Sequence, residues 1–389
     1  MPSLDDYVDR EQAYVKHIFL ERYLEALFHK TGSIFDHIVY VDGFAGPWQS
    51  ANEQFGDTSF GIALSALRKA KASLQQRRRT VRMTALLVEK NAEAHARLET
   101  LQRRYPDVEI KTYNDDFCTI VQRIADDIPP NAFAFFLIDP KGWSVPLDQI
   151  RPLLSRQKSE VVFNFMFDFI NRAASMGEHV TRGLDELMPG SDWQRRLREA
   201  EAAFGHYGLS GDDRKEVLVG AFGDSLKQIG GYAYVAELTV LRPLKDRPLY
   251  CLVYGSRHES GIEVFRDCQM KALQTQAEIR AQGKVKATEV KSGQNELFES
   301  MLDMAPDQTE AMLAEAKQNA RVLVLELVPR VPGDITYRRL WASVLAQHSV
   351  RRTDVNKICA AMKDSGELLF PDWEPGKRVP QDRYRVQRP

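Results

Sequence analysis

The sequence predicts an α/β protein, a doubly wound Rossmann-like sheet ending in an antiparallel hairpin, followed by a small winged helix-turn-helix. Three observations carry this. Over the first 170 residues, β-forming apolar runs alternate with helical patterns, as parallel strands joined by crossover helices require. Several of those runs stop at an acid, Asp42, Glu89 and Asp139 among them. The strand patterns at 232–241 and 249–254 are joined by a segment too short for a parallel crossover, so they must pair antiparallel.

The 389 residues exceed the usual size of one domain, so at least two are expected. A hydrophobic content of 43% and a charged content of 28% are ordinary for globular chains and argue against long disorder. Cys118, Cys251, Cys268 and Cys359 are far apart with no Cys-x-x-Cys pair, so neither a zinc site nor a disulfide framework is expected. No basic-then-apolar leader and no run of membrane-spanning length is present, which predicts a cytoplasmic protein.

In chain order, 5–30 carry helical spacing through Tyr14, Ile18, Leu20, Tyr23, Leu24 and Leu27, with Lys16 and His17 inside the helix. The first strand, 38–41, runs into Asp42-Gly43-Phe44-Ala45-Gly46-Pro47, a turn that sets backbone N–H groups and a carboxylate at the carboxyl end of the sheet. Doubly wound folds bind nucleotide-like ligands there. An irregular stretch from Trp48 to Thr58 precedes a helix over 59–74. That helix ends in a basic run, Arg77-Arg78-Arg79, read as a solvated helix end. Strand two, 83–89, delivers Glu89, and a helix over 92–105 follows. Strand three, 109–113, delivers Asn114, Asp115 and Asp116. Carboxylates are costly to crowd unless they hold a polar ligand, and a ligand with several hydroxyl and amino groups accounts for all three strand ends. Strand four, 132–138, is apolar on both faces, as a central parallel strand should be, and delivers Asp139-Pro140-Lys141-Gly142-Trp143. Asp139 and the Trp143 ring are expected to face the cleft. Strand five is read at 161–167. Residues 173–230 read as an inserted or lid-like helical segment.

The domain boundaries implied are 1–265 for the sheet domain, 266–330 for a helical linker with a polar stretch near 281–294, and 331–389 for the last domain. There, helices over 335–345 and 353–363, the second capped by Thr353, precede strands at 368–370 and 383–386. Helix, helix and a two-stranded wing make a winged helix-turn-helix. Residues 335–389 hold eleven lysines and arginines against six acids, a net +5, leaving about −6 for the remainder. Such asymmetry suits a module that contacts phosphates, with Arg351, Arg352, Asn356 and Lys357 at the recognition helix and Lys377 and Arg378 on the wing.

Acids after the first three strands, Asp139-Pro140 after the fourth and a terminal hairpin resemble the class I S-adenosylmethionine-dependent methyltransferases. The resemblance implies that Asp42, Gly43, Phe44 and Gly46 hold the methionine end of S-adenosylmethionine. It further implies that Glu89 holds the ribose and Asp115 or Asp116 the adenine, while Asp139, Pro140, Lys141 and Trp143 face the methyl group. No metal is implied. Lys141 stands where enzymes acting on adenine amines carry a second proline. A cation there disfavours the positive charge that develops on an amine and suits a phosphate or acidic substrate.

More specifically, Lys16-His17, the segment Tyr40-Val-Asp-Gly-Phe-Ala-Gly-Pro47, Asp139-Pro140-x-Gly142 and the C-terminal winged helix look like the three-Cys-motif partner proteins. These bacterial and phage-associated proteins are usually encoded beside a three-cysteine protein that resembles radical S-adenosylmethionine enzymes. The resemblance implies such a protein as partner, while the basic winged helix points to nucleic acid, DNA or RNA, as a further partner. Three readings follow: a methyltransferase acting on nucleic acid, a non-catalytic partner subunit, and a DNA-binding regulator with a ligand-sensing domain.

Overall fold

The computed structural model describes residues 4–7, 10–46, 50, 55–143, 145–176, 178–205, 208–292 and 299–389. Pro47, most of the 48–58 stretch and the end of the polar stretch near 281–294 lie outside the described residues. The chain divides into two compact units, Met1–Arg257 and His258–Pro389.

In the first unit a 3-10 turn, Leu4–Tyr7, leads to α1 (Glu11–Gly32), β1 (His37–Asp42), α2 (Ser59–Gln76) and β2 (Arg82–Val88). Then come α3 (Ala92–Glu99), α4 (Leu101–Arg104), β3 (Glu109–Tyr113), α5 (Val121–Asp127) and β4 (Phe133–Ile138). After α6 (Arg151–Leu154), β5 (Ser159–Phe165) and α7 (Phe167–Ala173) the chain runs through α8 (Glu178–Leu187), α9 (Trp193–Phe204) and α10 (Gly211–Gly230). It closes with β6 (Tyr234–Leu241) and β7 (Pro248–Ser256).

The seven strands form one mixed sheet in the order β3-β2-β1-β4-β5-β7-β6. β1 to β5 are parallel, while β7 runs antiparallel to both β5 and β6. This strand order, with its antiparallel terminal hairpin, is typical of class I methyltransferases. The chain leaves β3 at one edge and returns to the centre beside β1, so the switch point lies between β1 and β4, where loops on either side diverge and a crevice opens. All six residues of β4 are buried, as a strand covered on both faces requires.

Local chemistry sets the element ends. Thr58 caps α2 by accepting the Gly61 N–H at 3.1 Å, and Asn91 caps α3 by accepting from Ala94 at 2.9 Å. Gly231, at φ 68°, ends α10 in a conformation that side chains resist. Two expectations shift. The helix over 92–105 breaks at Thr100, whose hydroxyl donates to the Arg97 carbonyl at 2.8 Å in competition with helix continuation. β5 begins and ends two residues earlier than expected. Its apolar run continues without a breaker into Phe167, which is buried as the first residue of α7. Within 173–230, α10 covers the β5 side of the sheet, with Phe222 centred 4.8 Å from Phe163 and 5.0 Å from Phe165.

The second unit contains α11 (Glu259–Ser292), α12 (Glu299–Leu327), β8 (Ile335–Thr336), α13 (Tyr337–Gln347), α14 (Arg352–Asp364) and β9 (Arg385–Val386). Its core gathers Tyr337, Trp341, Val355, Cys359 and Tyr384. Thr353 does not cap α14; it lies inside the helix, and Arg351 is the cap residue, its N–H donating to Asp354 at 3.0 Å. The expected strand pair is also rearranged. β9 pairs with β8 ahead of α13, and 368–370 contributes one bridge, Leu369 to Gln387.

Candidate functional site

Strand register explains what gathers at the carboxyl edge of the sheet. Asp42 is level with Leu87 of β2 and Leu137 of β4, so the turns that follow all three strands open on the same side. They border a cavity of about 700 Å³, a size common for small-molecule sites. Gly43, Phe44, Gly46, Glu89, Asp115 and Asp116 all line it. So do Asp139, Pro140 and Lys141. Residues from the strand ends, separated by a hundred positions in sequence, thus meet at one crevice.

Asp42 is the exception among the first-turn residues. It is 0% exposed and acts beneath the cavity. Its Oδ2 accepts the Tyr40 hydroxyl at 2.9 Å and the Ser59 hydroxyl at 3.0 Å, and its Oδ1 accepts the Phe44 N–H at 3.0 Å. Burial pushes its carboxyl up to about 6, against the pull of the three hydrogen bonds and with the nearby Asp139 charge adding to the rise. Asp42 therefore shapes the turn. Gly43 is explained by packing as well: a Cβ there would sit 3.0 Å from the Phe117 ring.

Glu89 is 3% exposed, yet it lines the cavity. Its Oε1 accepts the Asn91 N–H at 2.6 Å, which fixes the carboxylate while leaving Oε2 for a ligand. Asn114 donates to the carbonyls of Glu89 at 2.9 Å and Lys90 at 3.1 Å, tying the ends of β2 and β3 together. Asp115 and Asp116 are exposed and partly committed to their own loop. Asp115 accepts the Thr119 hydroxyl at 2.9 Å and Asp116 accepts the Cys118 N–H at 3.0 Å. Cys118 also borders the cavity, but burial and the Asp116 charge push its thiol up to about 11, so it is a protonated wall group.

Asp139 sits at the centre of a cluster that the sequence did not announce. Lys16 of α1 pairs with its Oδ2 at 2.5 Å, and Asn164 near the end of β5 donates to its Oδ1 at 2.5 Å. The register Ile138 to Phe163 makes the second contact, because the next residues along β4 and β5 are Asp139 and Asn164. Asn164 is 3% exposed, and its Oδ1 is buried with no protein partner. Since an ionised carboxylate only accepts, Asn164 must turn its NH2 toward Asp139. His17, next to Lys16, is held well below the usual histidine range by burial and by the Lys16 and Arg10 charges; its Nδ1 meets the Tyr7 hydroxyl at 2.8 Å. Tyr250 of β7 closes this wall, donating to the Gln12 carbonyl at 2.6 Å.

Trp143 departs from expectation. It is not among the cavity residues; it packs partly buried against the core, with its indole nitrogen close to Gly183 of α8. Gly142, at φ 119°, makes the bend just before it. No group of three His, Cys, Asp or Glu among the described residues is placed to hold a metal, and no described helix is long and apolar enough to cross a membrane.

In the second unit the candidate polymer-contacting residues divide. Arg352 pairs with Asp382 at 2.6 Å and Glu263 at 3.2 Å and lies over the Trp341 ring at 4.6 Å. Arg351 pairs with Asp354 at 3.2 Å, and Asn356 accepts the Tyr337 hydroxyl at 2.6 Å. Lys357, Lys377 and Arg378 are exposed side chains.

No protein-family model matches the chain, and no curated protein does. Among solved structures, protein LPL1258 from Legionella pneumophila, of family DUF519, is similar at 12% identity and a TM-score of 0.35, over 63% of this chain and 85% of that one. Loganic acid methyltransferase, solved with SAH, is similar at 8% identity and a TM-score of 0.29, over 78% of this chain and 89% of that one. YcgJ from Bacillus subtilis is similar at 12% identity and a TM-score of 0.25, over 60% and 95%.

Proposed function

We propose that the first unit binds S-adenosylmethionine and transfers a methyl group to a nucleophile held beside Asp139, with nucleic acid as the substrate class. The observation that carries the reading is the convergence of the β1, β2, β3 and β4 ends on one cavity in a class I methyltransferase strand order. The residues fit the cofactor: Glu89 offers a fixed carboxylate oxygen to sugar hydroxyls, Asp115 and Asp116 offer acceptors to an adenine amine, and Phe44 and Phe117 supply apolar wall. When bound, S-adenosylmethionine supplies an electrophilic methyl, so the protein has mainly to align a nucleophile and exclude water.

Asp139 does the aligning. A carboxylate has about four lone-pair sites, and Lys16 and Asn164 occupy two of them. The remaining sites accept an N–H or O–H of the incoming group, while the two donors keep the carboxylate from rotating. Pro140 and Lys141 form the lip, where a cation favours a substrate that brings its own negative charge. In the same proposal α13, α14 and the 369–387 bridge act as a winged helix-turn-helix, with Lys357, Lys377 and Arg378 contacting phosphates.

A second reading, a non-catalytic subunit working with a three-cysteine radical S-adenosylmethionine-like protein, is favoured by the engagement of both Asp139 oxygens. Calorimetric titration with S-adenosylmethionine and S-adenosylhomocysteine tests the main reading. Wild type should bind with a Kd on the order of micromolar, and Glu89→Ala should lose at least about 30-fold, two ribose hydrogen bonds' worth. Absence of binding by the wild type alone sinks the self-sufficient enzyme.

A further inference from the structure

Beside the cavity, α7 and the β6–β7 hairpin form a surface that the cofactor reading does not use. The antiparallel direction of β7 brings its first residues to the carboxyl edge of the sheet, where Leu249 and Tyr250 line the cavity. The hairpin turn that precedes them, Arg242-Pro-Leu-Lys-Asp-Arg247, therefore stands at the same edge. On β5's side, Met166 lines the cavity and α7 starts at the next residue. One carboxylate oxygen joins the two elements: Asp168 Oδ2 takes Arg242 of the hairpin at 2.7 Å and Arg172 of α7 at 3.1 Å.

The joined surface carries two large apolar side chains in the open, Phe169 at 44% and Leu244 at 53% exposure. A single exposed phenylalanine means little. Here Arg172 lies over the Phe169 ring at 4.9 Å, and the neighbouring turn holds exposed Lys245 and Arg247. With Arg242, α7 and the turn carry four cations against the two carboxylates Asp168 and Asp246. Apolar groups set among cations match a polymer that alternates flat rings with anionic links.

We infer that this surface binds a single-stranded nucleic acid and leads it to the cavity, with a base stacked on Phe169 and phosphates on Lys245 and Arg247. The inference rests on the nucleic-acid reading above and gives it a track within the first unit. A strand running over α7 and the hairpin passes the Asp139 side of the cavity, because Met166, Leu249 and Tyr250 border both. Stacking on a phenylalanine tolerates any base, so this surface supplies affinity with little sequence preference.

Anisotropy titrations of a short labelled single-stranded oligonucleotide, RNA in one arm and DNA in the other, test it with the full chain. Phe169→Ala should weaken binding roughly 5- to 100-fold without changing the salt slope. Lys245→Glu with Arg247→Glu should lower the slope of log K against log salt by about 1.4, twice the single-strand value per phosphate. Both changes lie on exposed side chains, and a thermal melt checks that each variant is folded. Wild-type affinity in both variants overturns the inference, as does a wild type that binds neither RNA nor DNA. Calorimetry with S-adenosylmethionine on Phe169→Ala separates the two proposals: unchanged cofactor binding with weakened oligonucleotide binding supports both. A wild type that binds no cofactor, with an oligonucleotide affinity that still depends on Phe169, leaves the track standing and removes the methyl transfer.

Discussion

The sheet edge of the first unit and the start of α14 in the second both collect charged residues that the sequence marks as functional, and the structure treats them in opposite ways. At the sheet edge, Glu89 and Asp139 are fixed by neighbouring donors yet keep lone pairs directed to a cavity. At α14, Arg352 is consumed by Asp382, Glu263 and the Trp341 ring, and Arg351 by Asp354. A charge count sees both regions alike. The difference is in the partners: Glu89 and Asp139 stand at the crevice that opens beyond the strand ends, whereas Arg352 meets acids and a ring from the neighbouring segments of its own unit.

The contrast is broken most severely at Asp42, the one strand-end acid that does behave like Arg352 and serves the fold. Asp42→Ala leaves the Tyr40 hydroxyl, the Ser59 hydroxyl and the Phe44 N–H without their acceptor. A loss of about 3–5 kcal/mol is expected in urea unfolding, against about 1 kcal/mol for Glu89→Ala, which gives up the single hydrogen bond from Asn91. Equal losses at the two positions would erase the distinction between fold and site.

The pH dependence of the same residue is next in size. Its folded pKa is raised from the ordinary 3.8 to about 6, so its contribution favours the fold fully below pH 4 and is lost as pH rises through 6. Over that window the stability difference between Asp42→Asn and wild type should move by about 3 kcal/mol in favour of the variant. A flat difference would show that Asp42 does not titrate in its buried setting.

Smaller still, Arg352→Ala should cost about 1–2 kcal/mol through its lost ion pairs and ring contact, while Lys357→Ala stays within about 0.5 kcal/mol. Thermal melts of the two variants side by side sharpen the comparison, because the residues lie five positions apart on one helix. If Lys357 proves the costlier, the division of α14 into structural and available cations is wrong.

Much of the sheet was readable because apolar runs that stop at an acid mark a buried strand and its carboxyl end together, as in 37–42, 82–88 and 133–138. Glu89 and Asp139 could be found that way. Lys16 and Asn164 could not be assigned to Asp139, since one lies 123 positions away and the other is set by a register that only pairing fixes. Trp143 was misplaced for a local reason: the positive φ of Gly142 is a freedom, and sequence does not say how the chain uses it. The strand end at Phe165 was hidden because Met166 and Phe167 prolong the apolar run into α7. In the second unit, the helices were readable by period, whereas the pairing of 385–386 with 335–336 joins segments on either side of two helices.

The hydrogen bond from Tyr250 to the Gln12 carbonyl, 238 positions apart, has a temporal side. One wall of the cavity is α1, which is made well before the strand that secures it, the last of the sheet. At roughly 5–20 residues per second, α1 waits about 12–50 s before Tyr250 has been made. During that interval β1 to β4 can pair, but the cavity has no finished wall. Completion of the cavity is therefore a late event in the life of a newly made chain, and a chain truncated before β7 would keep its parallel strands while lacking a closed wall.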